Sequence, residues 1–452
     1  MCIHAYNSAA KLLLFFHSCT HFYKKHYFLC VYLVILYAFR TFAPMKYNTT
    51  TLTNGLRVIH LPSPSAVVYC GYQIAAGTRN EQPGEEGLAH FCEHVTFKGT
   101  KKRNALQIIN CLERVGGELN AFTAKEDTTY YAAIHRDHFK LAVDLLTDIV
   151  FHSQYPQQEI DKEIEVICDE IESYNDSPSE LIYDDFESIL FQGHPLGHNI
   201  LGQADQLRSY TTEDALRFTR RYYRPDNAIF FVYGDIDFKQ VVRLLSKMPI
   251  APVGHTNITR TEAIINPTSY ARPIVRQKGT HQAHVMMGCR AYHADHPRRM
   301  ALYLLNNILG GPGMNSWLNL LLRERHGLVY TVESSMANYS DTGLWSVYFG
   351  CDPDDVSKCR RLVRRQLDRL MEKPLSPSKL NDAKRQIKGQ IAIACDNREN
   401  FAIDFGKSFL HNGREKDLDL LFSKIEAVTA DEIFQVACEL FQPANMITLV
   451  YN

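Results

Sequence analysis

His90, Glu93 and His94, within the stretch GLAHFCEHVTFKG at 87–99, put two imidazoles and a carboxylate inside little more than one helical turn. At roughly 100° per residue, His90 and His94 stack one turn apart on one face, with Glu93 on the same side. Such a pair can offer two nitrogens to Zn²⁺, and a carboxylate beside the metal can take a proton from a bound water. The competing reading is two partly buried histidines hydrogen-bonded in a core.

A catalytic zinc held by two histidines needs a third protein ligand, with the fourth position left to water. The acidic segment 161–174 is the place to look. Ile160, Ile164, Ile167 and Ile171 form the apolar stripe of a helix. Asp161, Glu165, Asp169 and Glu172 fall towards one side or the solvent face, whereas Glu163 and Glu170 share the other flank, two turns apart. That flank is the one best placed to reach a partly buried site. Taken alone, the segment also reads as a solvated acidic face.

The elements that must position these groups follow from hydrophobic periodicity. Strands are expected over 56–61 and 66–75, separated by the Pro/Ser turn at 62–65. The histidine helix follows over 87–97, then a second helix over 105–115 that Gly116 and Gly117 stop. Paired strands at 118–123 and 128–135 lead into a helix at 138–151. After a Pro- and Thr-rich stretch at 249–267 the plan repeats: a strand at 283–289, helices at 297–309 and 317–325 around the break Gly310–Gly313, strands at 330–337 and 343–350, and a helix at 356–371. An internal duplication of about 200 residues accounts for this better than two unrelated domains.

With these motifs in hand, the sequence resembles the family of pitrilysin, insulysin and the mitochondrial processing peptidases, and particularly its shorter members. The order His-x-x-Glu-His is the inverzincin signature, and the Glu163/Glu170 pair stands at the spacing the family uses. Further stretches match in order: Gly116-Gly117 through Asn120-Ala121-Phe122-Thr123, His194-Pro195-Leu196-Gly197, Tyr223 to Asn227, and Val232 to Asp235. The resemblance implies His90, His94 and Glu170 as ligands of one Zn²⁺ per chain, Glu93 as the base and Glu163 as a supporting carboxylate. It also implies that Arg323 and Tyr330, in the segment 323–330, serve the site from the opposite domain, where a cation and a phenol can hold a carbonyl as oxyanion charge develops. Cys92 departs from the leucine often found in relatives and is read as packing.

The expected fold is α+β: two homologous α/β domains, each a mostly antiparallel sheet flanked by helices, enclosing a substrate chamber. The N-terminal domain would span 45–250, a linker 251–270, and a C-terminal domain without a metal site 271–452. The expected activity is zinc-dependent endopeptidase cleavage of peptides or unfolded segments. Substrate would lie as an added strand along 118–123, through Asn120, Ala121, Phe122 and Thr123. A catalytically silent scaffold subunit and a leader-processing peptidase are the alternatives.

Bulk properties agree with a soluble globular protein. The chain has 452 residues, 45% hydrophobic and 22% charged, and its 49 Lys+Arg against 50 Asp+Glu give a net charge of −1. That balance points away from nucleic acid. Twelve cysteines without a CxxC pattern fit free thiols in a reducing compartment, so a cytoplasmic location is expected, with a homodimer or a heterodimer with a related subunit. Residues 1–44 differ: they lack Asp and Glu and carry a 13-residue apolar run at 27–39. They read as a leader, an anchor giving export or membrane attachment, or sequence upstream of a true start at Met45.

Overall fold

The computed structural model describes residues 45–250 and 272–452. The leader or anchor read at 1–44, and the whole of the linker at 251–270, lie outside the described residues. Tyr47–Asn452 forms one compact unit. No helix among the described residues is long and apolar enough to cross a membrane.

The first half runs β1 (Asn48–Thr51), β2 (Arg57–Pro62), β3 (Val67–Ile74), α1 (Leu88–Thr96), α2 (Ala105–Glu113), β4 (Glu118–Thr123), β5 (Thr128–His135), α3 (Phe139–His152), α4 (Gln157–Asn175), α5 (Pro178–Leu190), α6 (Thr212–Tyr222), β6 (Ala228–Gly234) and α7 (Phe238–Leu245). The second runs β7 (Ile274–Arg276), β8 (Ala283–Ala291), α8 (Arg299–Gly310), a π-helical segment Asn319–Arg325, β9 (Val329–Asn338), β10 (Gly343–Cys351), α9 (Val356–Glu372), α10 (Pro377–Ala394), α11 (Arg398–Asn412), α12 (Leu418–Ala427), α13 (Ala430–Leu440) and β11 (Ile447–Tyr451). The helix expected at 317–325 therefore widens into five-residue spacing over most of its length, closed by Leu328 N–H donating to the Leu322 carbonyl at 2.9 Å.

The two sheets repeat one topology. The first has strand order β1-β2-β6-β3-β5-β4, the second β7-β11-β8-β10-β9. In each, the last strand of the half pairs in parallel with the first main strand, β6 with β2 and β11 with β7, and the other neighbours pair antiparallel. Both are thus mostly antiparallel sheets with helices, as expected. β4 and β9 are the corresponding edges.

The halves also exchange helices. α11 of the second half packs on β3 and β6 of the first sheet, where Phe405 meets Phe231 at 6.3 Å and Phe401 meets Tyr233 at 5.9 Å between ring centroids. Reciprocally, α5 packs on β8 and β11, burying Leu181, Ile182, Phe186 and Leu190 against Met286, Ile447 and Leu449. Polar contacts follow the same seam: Arg57 donates to the carbonyls of Phe409 and Leu410 at 3.1 Å, and Tyr131 OH to Glu399 at 2.6 Å. Each sheet face that its own half leaves uncovered carries large apolar side chains, so neither half could expose it to water without loss.

Phe186 is fully buried at this seam. Phe186→Ala should destabilise the protein by about 3–5 kcal/mol in chemical denaturation; a change below about 1 kcal/mol would show that the seam contributes little.

Candidate metal centre

The loop ahead of α1 delivers the helix, and Gly87, at φ +87°, starts it. Eight of its nine residues are buried, His90 and Glu93 included. The His90 and His94 rings sit 4.6 Å apart between centroids, inclined at 65°. From α4, Glu170 places Oε2 3.3 Å from His94 Nε2 and Oε1 3.9 Å from His90 Nε2. One donor atom from each of the three residues lies within 4.8 Å of the others, and among the described residues this is the one such group of His, Cys, Asp or Glu.

These separations suit a shared cation. Tetrahedral donors at zinc–nitrogen and zinc–oxygen distances stand about 3.3 Å apart, close to the 3.3 and 3.9 Å observed. The donor set, two imidazole nitrogens and one carboxylate, is one that Zn²⁺ accepts readily. Glu170 is the most exposed of the three, which leaves the mouth of the site open.

The surrounding groups fix the donors. Glu163 Oε1 lies 3.0 Å from His94 Nδ1, so that ring's Nδ1 carries the hydrogen and Nε2 faces Glu170. Lys98 Nζ braces the other Glu163 oxygen at 2.5 Å. Burial works against the Glu163 charge, but His94 and Lys98 outweigh it and hold the carboxyl below its ordinary range. Glu93 accepts a hydrogen bond from Thr123 Oγ1 at 2.6 Å. Burial raises its pKa, with Thr123 and His94 opposing.

Without a cation the two rings differ in charge. Burial and then the neighbouring His94 push His90 down to about 4. Burial also acts against charge on His94, but Glu163 and Glu170 overcome it and push it up to about 9. The two shifts run in opposite directions, so at neutral pH positive charge on the pair is favoured on His94, between Glu163 and Glu170, and disfavoured on His90.

Of the groups singled out in the sequence, the structure brings together His90, Glu93, His94, Glu163 and Glu170. Asn120, Ala121, Phe122 and Thr123 lie on β4, at the open edge of the first sheet, and Thr123 reaches Glu93 directly. Arg323 and Tyr330 meet each other, with the guanidinium 5.3 Å over the phenol ring. They line a cavity of about 570 Å³ built wholly from the second half, between α8, the turn at 310–314, β9 and α10. None of the metal-site residues lines it. Cys92 turns away from the donors, its Sγ 3.9 Å from the Ala215 carbonyl. Sequence reading missed Lys98, and it missed that Thr123 ties Glu93 to the edge strand; the only signal for Lys98 was its place four residues after His94.

Comparison with known proteins places this architecture. The family described as Insulinase (Peptidase family M16) matches residues 57–204, and the Peptidase M16 inactive domain matches 209–387. An uncharacterised zinc protease of Bacillus subtilis is 31% identical over 401 residues, covering 88% of this chain and 97% of its own length. The chain belongs to peptidase family M16. A second M16 relative, an uncharacterised zinc protease of Streptomyces coelicolor, is 33% identical over 403 residues, 86% of each chain. The fold matches the crystal structure of a protease from Helicobacter pylori with a TM-score of 0.84 at 24% identity, over 90% of this chain and all of that one.

With His94 pushed up to about 9 and His90 down to about 4, zinc binding to these residues at pH 6 is expected to expel about one proton, from His94. Titration calorimetry in two buffers of different ionisation enthalpy should give about one proton released per zinc; release of none would contradict the assigned charge state.

Proposed function

We propose that this M16 protein is a zinc-dependent endopeptidase that hydrolyses extended peptides or unfolded polypeptide segments. The observation that carries the reading is that Glu170 meets His90 and His94 while Glu93, on the same helix, is held by Thr123 at the end of an open edge strand. Base, donors and a docking edge are thereby joined through single contacts.

Zn²⁺, one per chain, would acidify a coordinated water and polarise the carbonyl it touches. Glu93 takes the proton of the attacking water and delivers it to the leaving amine, a shuttle for which a carboxyl raised by burial suits neutral pH. Glu163 keeps His94 in one tautomer and orientation, and Lys98 keeps Glu163 ionised. Substrate lies along β4 as an added strand through Asn120–Thr123, held by main-chain hydrogen bonds with little regard to sequence. Arg323 and Tyr330 are assigned to the oxyanion, presented from the second-half cavity of this chain or of a partner copy, in a homodimer or a heterodimer with a related subunit. A cytoplasmic location suits the nine free cysteines among the described residues.

The silent-scaffold reading has to explain a complete donor set with its base intact, and so ranks below the enzyme. Leader processing is a narrower form of the same chemistry.

Cleavage of a quenched peptide should stop with a chelator and return with zinc. Glu93→Gln should keep its zinc and lower kcat by about 10²–10⁴-fold. Hydrolysis indifferent to chelation would sink the metallopeptidase reading, and an undiminished kcat would remove Glu93 from the chemistry.

A further inference from the structure

We propose that Glu81 and His198 are positioning residues for the metal site, acting through the first turn of α1. The inference rests on the metal-centre reading above and adds to it two residues with no part in the coordination or the proton transfer.

α1 begins without a side-chain cap of its own. Its leading amides are taken by a carboxylate from the preceding loop: Glu81 Oε2 accepts from Gly87 N–H at 3.0 Å, and Oε1 from Ala89 N–H at 2.7 Å. The Glu81 side chain is completely buried. A negative group at this end also complements the helix dipole. A buried carboxylate needs a further partner, and His198 Nε2 supplies it at 2.7 Å. The same nitrogen lies 3.0 Å from the Thr78 carbonyl. Both neighbours are acceptors, so Nε2 carries the hydrogen and donates to them.

His198 is itself held in place. Its carbonyl accepts from the buried Lys125 Nζ at 2.5 Å. The segment that follows it presses on the start of α1: a Cβ added to Gly202 would stand 2.6 Å from the Glu86 carbonyl oxygen and 2.8 Å from Gly87 Cα. With φ values of +87° at Gly87 and +71° at Gly202, only glycines allow the two backbones to touch there. Tyr210 OH donates to the Glu86 carbonyl at 3.0 Å, closing the same contact from the other side.

The mechanical consequence is direct. The amide held by Glu81 belongs to Ala89, next in the chain to His90. A nine-residue helix has too few turns to absorb a shift at its start before His90 and His94, and a coordination site is degraded by displacements of about 0.5 Å. The segment 198–202, more than a hundred residues downstream, thus sets where the two imidazoles stand.

The test compares Glu81→Gln, His198→Leu and His198→Gln in the full-length protein. Zinc affinity is read by competition with a chromophoric chelator, and site geometry by the visible spectrum of the Co²⁺-substituted protein. Glutamine at 81 turns an amide donor towards backbone N–H groups, and leucine at 198 strips the buried carboxylate of its partner. Both should weaken zinc binding by about tenfold or more, alter the Co²⁺ bands, and lower kcat more than they change KM. Glutamine at 198 places a donor near the position of Nε2 and should restore the parental spectrum and affinity. If Glu81→Gln fails to fold, the two His198 variants carry the test alone. Parental affinity and spectrum in His198→Leu would overturn the proposal, as would a His198→Gln protein as impaired as His198→Leu. A parent chain that binds no zinc would remove the metal centre itself, a separate result.

Discussion

Two imidazoles 4.6 Å apart in a buried helix face create an electrostatic problem that the surrounding structure is arranged to solve. Both cannot be protonated, and burial penalises charge on either. Glu170, carried on another helix, supplies the compensating negative charge and, with the two ring nitrogens, defines a point that one divalent cation can occupy. The contacts around that point are consistent in direction. Glu163 fixes the far nitrogen of His94, Lys98 fixes Glu163, Thr123 fixes Glu93, and Glu81 holds the start of the helix that carries both histidines and Glu93. Metal-site geometry is thus distributed over α1, α4, β4 and the loop ahead of α1.

The duplicated topology explains how one half can be specialised without losing the fold. Each sheet needs a covering helix on its second face, and each receives it from the other half, α5 in one direction and α11 in the other. This seam combines apolar packing with hydrogen bonds from Arg57 and Tyr131 and does not involve the donors, so the second half can keep its structural role without a metal. α8 stands in the second half where α1 stands in the first, and it turns Asn306 and Asn307 towards a cavity edged by β9. Neutral amides there cost nothing comparable to a pair of buried imidazoles, and the cavity stays open for Arg323 and Tyr330.

Much of this was legible in the sequence because it depends on period and local chemistry. The strands at 118–123 and 128–135 have the bounds their alternation indicates, and the isoleucine stripe correctly turned Glu163 and Glu170 to one flank of α4. The glycine pair at 116–117 marked the end of α2. What stayed hidden depends on contacts between distant segments. No period shows that α5 and α11 cross to the opposite sheet, since an amphipathic helix does not encode which apolar surface it covers. Nor does composition reveal that Glu81 reaches the amides of Gly87 and Ala89, because a lone acidic residue in a loop looks solvated until the segment 198–202 closes over it. The widened helical turn at 319–325 was hidden too, since its side chains keep an ordinary helical pattern.

In the proposed metal centre one zinc ion is held by His90, His94 and Glu170 and by no sulfur, although Cys92 lies on the same helix. X-ray absorption at the zinc edge of the metal-loaded protein tests this most directly. Coordination by His90, His94 and Glu170 should give a first shell of nitrogen and oxygen at about 2.0–2.1 Å, with outer scattering from two imidazole rings. A sulfur contribution at about 2.3 Å, or scattering from fewer than two imidazoles, would contradict it.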